Sequence, residues 1–332
     1  MNVLFIGGTG VISSACSRLA VKRGIRLTLL NRGTTGRPAP EGAEIVRGDI
    51  RNPDSIQSAL GRRTFDTVVD WVCYTPEQAE ADIRVFAGRT EQFVFIGTAS
   101  SYQTPPASLP VTESTPLSNP FWEYSRLKIA CEEAFIRAYR ERGFPSTIVR
   151  PSHTYDRTMI PVHGRYTVID RMRTGRKVVV HGDGTSLWTL THHDDFAIGF
   201  VGLLGNPHAI GDAFHITSDE TLTWNRIYAI LARAAGVAEP QKVVHIPSEL
   251  IAAYFKDWGE SLLGDKSHSM VFDNFKIKRA VPEFKAVIPF SEGAEEILAW
   301  YDADIGRRTV DEAFNRQLDR MIAAYESAFP NG

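Results

Sequence analysis

The segment Val3-Leu4-Phe5-Ile6-Gly7-Gly8-Thr9-Gly10-Val11-Ile12-Ser13 constrains this chain more than any other. Its four apolar residues in a row suit a strand covered on both faces of a parallel sheet, and Gly7 and Gly10 let the backbone turn tightly and approach a ligand. From near Thr9 onward, Val11, Ile12, Ala15, Cys16, Leu19 and Ala20 recur at helical spacing, and Gly24 is placed to end that helix before a second strand over 25–30. A strand, a glycine turn and an amphipathic helix in this order suit a dinucleotide, whose pyrophosphate meets the amides and the positive dipole end of the helix. Ser13 stands where the usual fingerprint has a third glycine, which predicts a slightly wider approach of helix to sheet.

Further strands fit 44–46, 67–71, 93–96 and 147–149, with helices near 53–60, 76–87 and 123–142 between several of them. This alternation predicts an α/β fold, a doubly wound parallel sheet built through right-handed crossovers. Beyond Pro151 the pattern loosens into shorter segments, including strands over 177–180 and 213–216 and a helix over 225–235. The expected organisation is a nucleotide-binding region over 1–150 and a substrate region over 151–330 that interleaves with it and roofs a cleft at the carboxyl ends of the strands. A chain of 332 residues, 43% hydrophobic and 23% charged, can bury a core of that size. Its net charge of −2 supplies no strong field for polyanions. Cys16, Cys73 and Cys131 lack metal-ligand spacing and are expected as buried reduced thiols. With no apolar stretch of ~18 residues and a start directly in the first strand, neither a membrane span nor a signal peptide is expected, and the cytoplasm is the expected location.

The chemistry concentrates in Tyr124-Ser125-Arg126-Leu127-Lys128. Tyrosine and lysine four apart share a helix face, so the ammonium is placed to favour the ionised phenol. Lowering a phenol from ~10 to ~7 takes about 4 kcal/mol. Thr98, at the end of the strand 93–96, adds a hydroxyl that can hold a substrate oxygen while Tyr124 moves its proton.

With Gly48-Asp49-Ile50, Thr98-Ala99-Ser100-Ser101-Tyr102, Arg150-Pro151, His181-Gly182-Asp183-Gly184-Thr185, His192-His193-Asp194-Asp195-Phe196-Ala197 and Phe214-His215-Ile216-Thr217, most of the chain resembles the extended short-chain dehydrogenase/reductase superfamily of the sugar-nucleotide epimerase and dehydratase type. Asn31-Arg32 after a leucine and Phe272-Asp273-Asn274 with Lys276 look closest to a branch that includes the chloroplast stem-loop RNA-binding proteins. The resemblance implies a Rossmann-type sheet and a catalytic triad of Thr98, Tyr124 and Lys128, with Lys128 also on the nicotinamide ribose. It places Gly7, Thr9, Gly10, Val11 and Ile12 around the pyrophosphate, Asp49 and Ile50 at the adenine, Trp71, Pro151 and His153 near the nicotinamide, and Ser100, Ser101 and Trp188 at the substrate. A homodimer through the helices over 76–87 and 123–142 is expected, as in related enzymes.

Three departures sharpen the expectation. Ala99-Ser100 replace the acid pair with which dehydratases of the family work, which argues against dehydration. Trp188 aligns where an arginine usually grips a nucleotide diphosphate, leaving Arg165, Arg171, Arg173, Lys266 or His268 to supply a charge. Asn31-Arg32 replace the acidic residue that meets the ribose of NAD, so NADP is favoured over NAD, although Asn31 alone can bond that ribose. His153, His181, His192 and His193 are dispersed, and the neighbours His192 and His193 are expected to point apart, so no metal is expected. Asp194-Asp195 read as the N-cap and first-turn acid of a helix beginning at Phe196. The expected activity is an NAD(P)-dependent oxidation or epimerisation at a secondary alcohol of a sugar or nucleotide sugar. The alternative is a non-catalytic, RNA-binding or regulatory protein on the same fold, against which the near-neutral charge and the intact triad weigh.

Overall fold

Val3 and Phe5 turn to one face of the central sheet and Leu4 and Ile6 to the other, all buried, so the opening apolar run is a strand covered twice. The computed structural model describes residues 1–33, 36–237 and 242–329; residue 330, the expected end of the second region, lies outside them. The first half runs β1 (Asn2–Ile6), α1 (Val11–Lys22), β2 (Arg26–Asn31), β3 (Glu44–Arg47), α2 (Pro53–Leu60), β4 (Phe65–Asp70), α3 (Pro76–Phe86), β5 (Thr90–Ile96), α4 (Glu123–Arg142) and β6 (Ser146–Pro151). The remainder runs β7 (His153–Tyr155), α5 (Tyr166–Arg173), β8 (Val178–His181), β9 (Leu187–Trp188), β10 (Leu190–His192), α6 (His193–Leu203), β11 (Ala213–Ile216), β12 (Leu222–Thr223), α7 (Trp224–Ala234) and β13 (Val243–Ile246). It continues with α8 (Ser248–Tyr254), α9 (Lys256–Ser261), a π-helical turn (Leu262–Lys266), α10 (Phe275–Ala280), α11 (Phe290–Asp302) and α12 (Glu312–Ser327).

Seven strands pair in parallel in the order β11-β6-β5-β4-β1-β2-β3. The order reverses between β1 and β4, and a ligand crevice opens at the carboxyl ends of such a switch point. Ala15, Cys16 and Ala20 of α1 and Phe196, Ala197 and Phe200 of α6 cover one face. Helices α2, α3 and α4 cover the other, with Phe93, Phe95 and Phe135 stacked at its centre. β11 returns to the sheet edge beside β6, while α5, α7 and α11 build a separate core above the carboxyl edge. Helix α6 was not read as starting at His193: with eight of its residues buried it is apolar nearly all round and carries little helical periodicity. The N-cap is His192, whose side chain accepts the Asp194 N–H, and both aspartates lie in the first turn.

A buried ion pair fixes the helix that carries Tyr124 and Lys128 to the strand that ends in Pro151. Arg150 Nε lies 3.1 Å from both carboxylate oxygens of Glu132 and its Nη2 lies 2.6 Å from Oε2. Glu132 is 0% exposed and Arg150 4%. Removing one partner of a pair this dry leaves a charge that water cannot reach, at a cost of about 3–5 kcal/mol. Glu132→Gln is therefore expected to lower unfolding stability in urea by about that amount, and the double change Glu132→Leu with Arg150→Met to recover most of it. A single variant that unfolds at the wild-type midpoint would show that the pair does not hold α4.

Candidate active site

Gly7 and Gly8 follow β1 with φ of 95° and 100°. Side chains avoid that region, so these two residues make the turn. At Gly8 a Cβ would stand 2.7 Å from Leu29 Cδ2, and at Gly7 3.3 Å from Trp71 Cβ. The sequence reading assigned the turn to Gly7 and Gly10. Gly10 is instead an ordinary extended residue, with φ −78°, at the N-cap of α1. Its N–H donates to Ser13 Oγ at 2.8 Å, so the serine in the third glycine's place is buried and closes the cap. No acidic side chain occupies the first turn of α1, which leaves its positive end open to an anion beside Thr9, Val11 and Ile12. The residues present fit a dinucleotide at this edge.

Around the outer strands, Asn31 Oδ1 accepts the Gly33 N–H at 3.0 Å, and Arg32 is exposed. Arg47, opposite Asn31 in the β2–β3 register, is a residue the sequence reading missed: a Cβ on Gly33 would lie 3.7 Å from its Cζ. Asp49 Oδ1 accepts the Arg51 N–H at 2.9 Å and Ile50 is buried beside it. Trp71 packs edge-on to Phe5, and its buried indole N–H has no hydrogen-bond partner among the described residues.

At the carboxyl ends of β5 and β6 lies a cavity of about 310 Å³ lined by Thr98, Ser100, Tyr124, Pro151, His153 and Trp188, with Trp122, Thr189, Asp265, Lys266 and Phe272 among the other walls. Thr98 stands two residues beyond the end of β5 and caps the short helix 99–101. Its hydroxyl shares the cavity with the Tyr124 phenol, whose ionised form it favours, and lies 3.0 Å from Ser100 Oγ, which accepts from Ser125 Oγ at 2.9 Å. Ser101 is fully buried, does not line the cavity, and its hydroxyl has no partner among the described residues.

Lys128 does not do what its spacing suggests. Its Nζ donates to the carbonyls of Cys73 at 2.7 Å and Ile96 at 2.9 Å, and sits 4.5 Å from the Tyr74 ring centroid but 5.9 Å from that of Tyr124. Burial lowers the Lys128 ammonium from its ordinary value. The same drying pushes the Tyr124 phenol up to about 12, helped by Tyr74 and opposed by the Thr98 hydrogen bond. Desolvation is the largest influence on the phenol, while the Lys128 ammonium lies against the Cys73 and Ile96 carbonyls. His153, whose Nδ1 accepts the Trp188 indole N–H at 3.2 Å, is held down to about 3 by burial and by nearby Lys266.

Two other expectations are corrected. The rings of His192 and His193 lie 5.0 Å apart and gather with Asp194, because the chain turns from extended N-cap to helix between them. His192 Nε2 is 3.2 Å from Glu296, His193 Nδ1 donates to the Val11 carbonyl, and Arg18 already holds Asp194 at 3.0 Å. Of the cations named as substitutes for the missing arginine, Arg171 is buried against Asn315 and Asp319, and Arg173 is paired with Asp302. Arg165 and Lys266 line an outer cleft of about 600 Å³ that continues from the cavity. All three cysteines are free and buried. No helix among the described residues is long and apolar enough to cross a membrane.

With this geometry, the family comparison is direct: residues 3–217 match the NAD dependent epimerase/dehydratase family, and the chain belongs to it. It is 25% identical to the chloroplast stem-loop binding protein of 41 kDa b of Arabidopsis thaliana, over 97% of this chain and 84% of that one. Its fold matches an epimerase from Methanothermobacter thermautotrophicus with a TM-score of 0.74 at 19% identity, covering 92% of this chain and 94% of that one. It also matches the UDP-glucuronic acid 4-epimerase of Bacillus cereus, solved with UDP-glucuronic acid and NAD, with a TM-score of 0.71 at 18% identity over 91% of this chain and 99% of that one.

The elevated phenol is open to measurement. An ultraviolet difference titration of wild type against Tyr124→Phe, without nucleotide, is expected to show that this tyrosine stays protonated through the ordinary phenol range near ~10. A Tyr124 signal that ionises near neutrality in the nucleotide-free protein would show that Lys128 overcomes burial unaided.

Proposed function

We propose that the chain is an NAD(P)-dependent oxidoreductase or epimerase acting on a secondary alcohol of a sugar or nucleotide sugar. The observation that carries this reading is that the Tyr124 phenol and the Thr98 hydroxyl line one cavity on the sheet edge that also bears the glycine turn. Gly7, Gly8, Thr9, Gly10, Val11 and Ile12 would hold the pyrophosphate, Asn31 and Arg32 the adenosine ribose, Asp49 and Ile50 the adenine, and Trp71, Pro151 and His153 the nicotinamide end. In its oxidised form NAD(P) would supply a hydride acceptor and a positive charge beside the phenol. Region 1–150 serves the nucleotide in this reading, and 151–330 the substrate.

Thr98 orients the substrate hydroxyl and Tyr124 takes its proton; Lys128 holds the ribose and adds positive charge. Bringing a phenol from about 12 to ~7 takes about 7 kcal/mol. The triad alone does not supply that, so proton transfer waits for the loaded site. An epimerase returns the hydride to the other face, and a dehydrogenase releases the ketone; both use the same residues. Dehydration is not proposed, since Ala99 and Ser100 bring no carboxyl to the sugar and Asp265, the one carboxyl lining the cavity among the described residues, pairs with Lys266. NADP is favoured because Arg47 joins Arg32 at the end of β2. A cytoplasmic homodimer through the outer faces of α3 and α4 completes the reading. The stem-loop binding name of the Arabidopsis relative raises RNA binding as a second reading, which the net charge of −2 does not favour.

Tyr124→Phe is expected to abolish turnover while nucleotide binding survives, because only the proton carrier is lost; near-normal rates on the true substrate would overturn the mechanism. Arg32→Ala is expected to weaken NADP by about 1.5–3 kcal/mol and NAD little, read by titration with each nucleotide. Equal small effects on both would remove the basis for preferring NADP. Light scattering at micromolar concentration should report a dimer, and a monomer there would refute the proposed pairing.

A further inference from the structure

Lys266 lines both the reaction cavity and the outer cleft, and so stands where the two meet. Its position is set by its backbone. The Lys266 carbonyl accepts hydrogen bonds from His181 Nε2 at 3.0 Å, Ser186 Oγ at 3.2 Å and Trp224 Nε1 at 3.1 Å. Two residues earlier, the Gly264 carbonyl accepts from Asn119 Nδ2 at 2.6 Å and Thr104 Oγ1 at 3.3 Å. Five donors thus pin one end of the π-helical turn and leave the lysine side chain to extend between two indoles, with Nζ 5.2 Å from the Trp122 ring centroid and 5.7 Å from that of Trp188.

The ammonium has a weak partner. Asp265 Oδ2 lies 3.5 Å away, at the limit of a hydrogen bond, and the lysine side chain is 19% exposed. Among the described residues lining the reaction cavity, Lys266 is the one permanent cation and Asp265 the one carboxyl. The remaining walls are aromatic rings, hydroxyls, the aliphatic Ala99 and Pro151, and a histidine held neutral by burial. Trp188 contributes a ring face here, its N–H being committed to His153. Arg165 belongs only to the exposed rim of the outer cleft.

A diphosphate spreads charge over two groups and is met by paired or forked cations, whereas one compact ammonium matches one anionic group. A volume of about 310 Å³ is at the small end of ligand pockets. Building on the reading of Tyr124 given above, we propose that the substrate is a monosaccharide carrying a single anionic group, a carboxylate or a phosphate ester, with its reacting hydroxyl at Tyr124 and Thr98 and its anion on Lys266. Lys266 is then the residue that sets specificity, and the indoles of Trp122 and Trp188 exclude water from the ion pair.

Calorimetric titration of the NAD-loaded full chain with D-glucuronate, D-glucose 6-phosphate, D-glucose and UDP-glucose tests this. One of the two charged monosaccharides is expected to bind about tenfold or more tighter than D-glucose, the worth of a charge-assisted hydrogen bond. The winner tells carboxylate from phosphate. Lys266→Met should erase that advantage and Lys266→Arg keep part of it, with NAD affinity unchanged in both as a check on folding. The proposal is overturned if D-glucose binds as well as the charged sugars, if UDP-glucose binds tightest, if no sugar binds, or if the preference survives Lys266→Met. NADH formation and epimerisation of the sugar are read in the same samples, with Tyr124→Phe as a binding-competent control. Anion binding that depends on Lys266 with neither NADH nor an epimerised sugar formed by wild type would sink the redox reading and leave the Lys266 site standing.

Discussion

A sheet whose seven strands all run the same way delivers every carboxyl end to one edge, and everything of chemical interest in this protein follows from that constraint. There the ladder stops, backbone groups lose their partners, and the chain must turn away. Each exit is settled differently. β1 leaves through Gly7 and Gly8, β4 through Trp71 and Cys73, β5 through Thr98, and β6 through Pro151. Because β1 and β4 diverge to opposite sides, the exits open a crevice, and the nucleotide cradle and the reaction cavity become neighbours along it.

Lys128 binds those exits together. Its ammonium, 2% exposed, bridges the carbonyl of Ile96 at the end of β5 and that of Cys73 beyond β4. A charge so dry lowers stability by itself and is tolerated because dipoles, ring faces and the acidic neighbours around it offset the lost water. Glu132 and Arg150 repeat the device one turn further along α4, tying the helix to β6. Two buried charges on one helix fix where Tyr124 stands. The same drying that makes these contacts strong also holds the phenol in its neutral form, so rigidity and activation oppose each other until positive charge is added beside it.

Much of this was legible in the chain. The four-residue apolar run, the glycine turn and the alternation of strands and helices through residue 151 specified the sheet, because a strand buried on both faces cannot hide its hydrophobic continuity. Strand ends differ from the expected ones by one to three residues, as at β4, whose ladder stops at Asp70 and not at Trp71, and at β5, which starts at Thr90 and not at Phe93. Thr98, Tyr124 and Lys128 could be picked out by spacing and by position after a strand. Beyond residue 151 the signal fades: β7, β9, β10 and β12 are two or three residues long, and α6 is apolar on nearly every side. Such elements are made by what they pack against.

The sequence by itself determined the parallel sheet, the glycine turn and the identity of the groups that meet at its edge, because these depend on local periodicity and on residues a few positions apart. Only the tertiary structure decided what those groups do to one another. It decided that Gly8 rather than Gly10 makes the turn, because Leu29 lies against it, and that Arg47 stands beside Gly33, because β3 pairs with β2. It turned Lys128 to the carbonyls and raised the Tyr124 phenol, and it brought Lys266, 142 residues beyond Tyr124 along the chain, to the same cavity. Burial and charge are sums over neighbours from every part of the fold, and one-dimensional spacing carries no record of them.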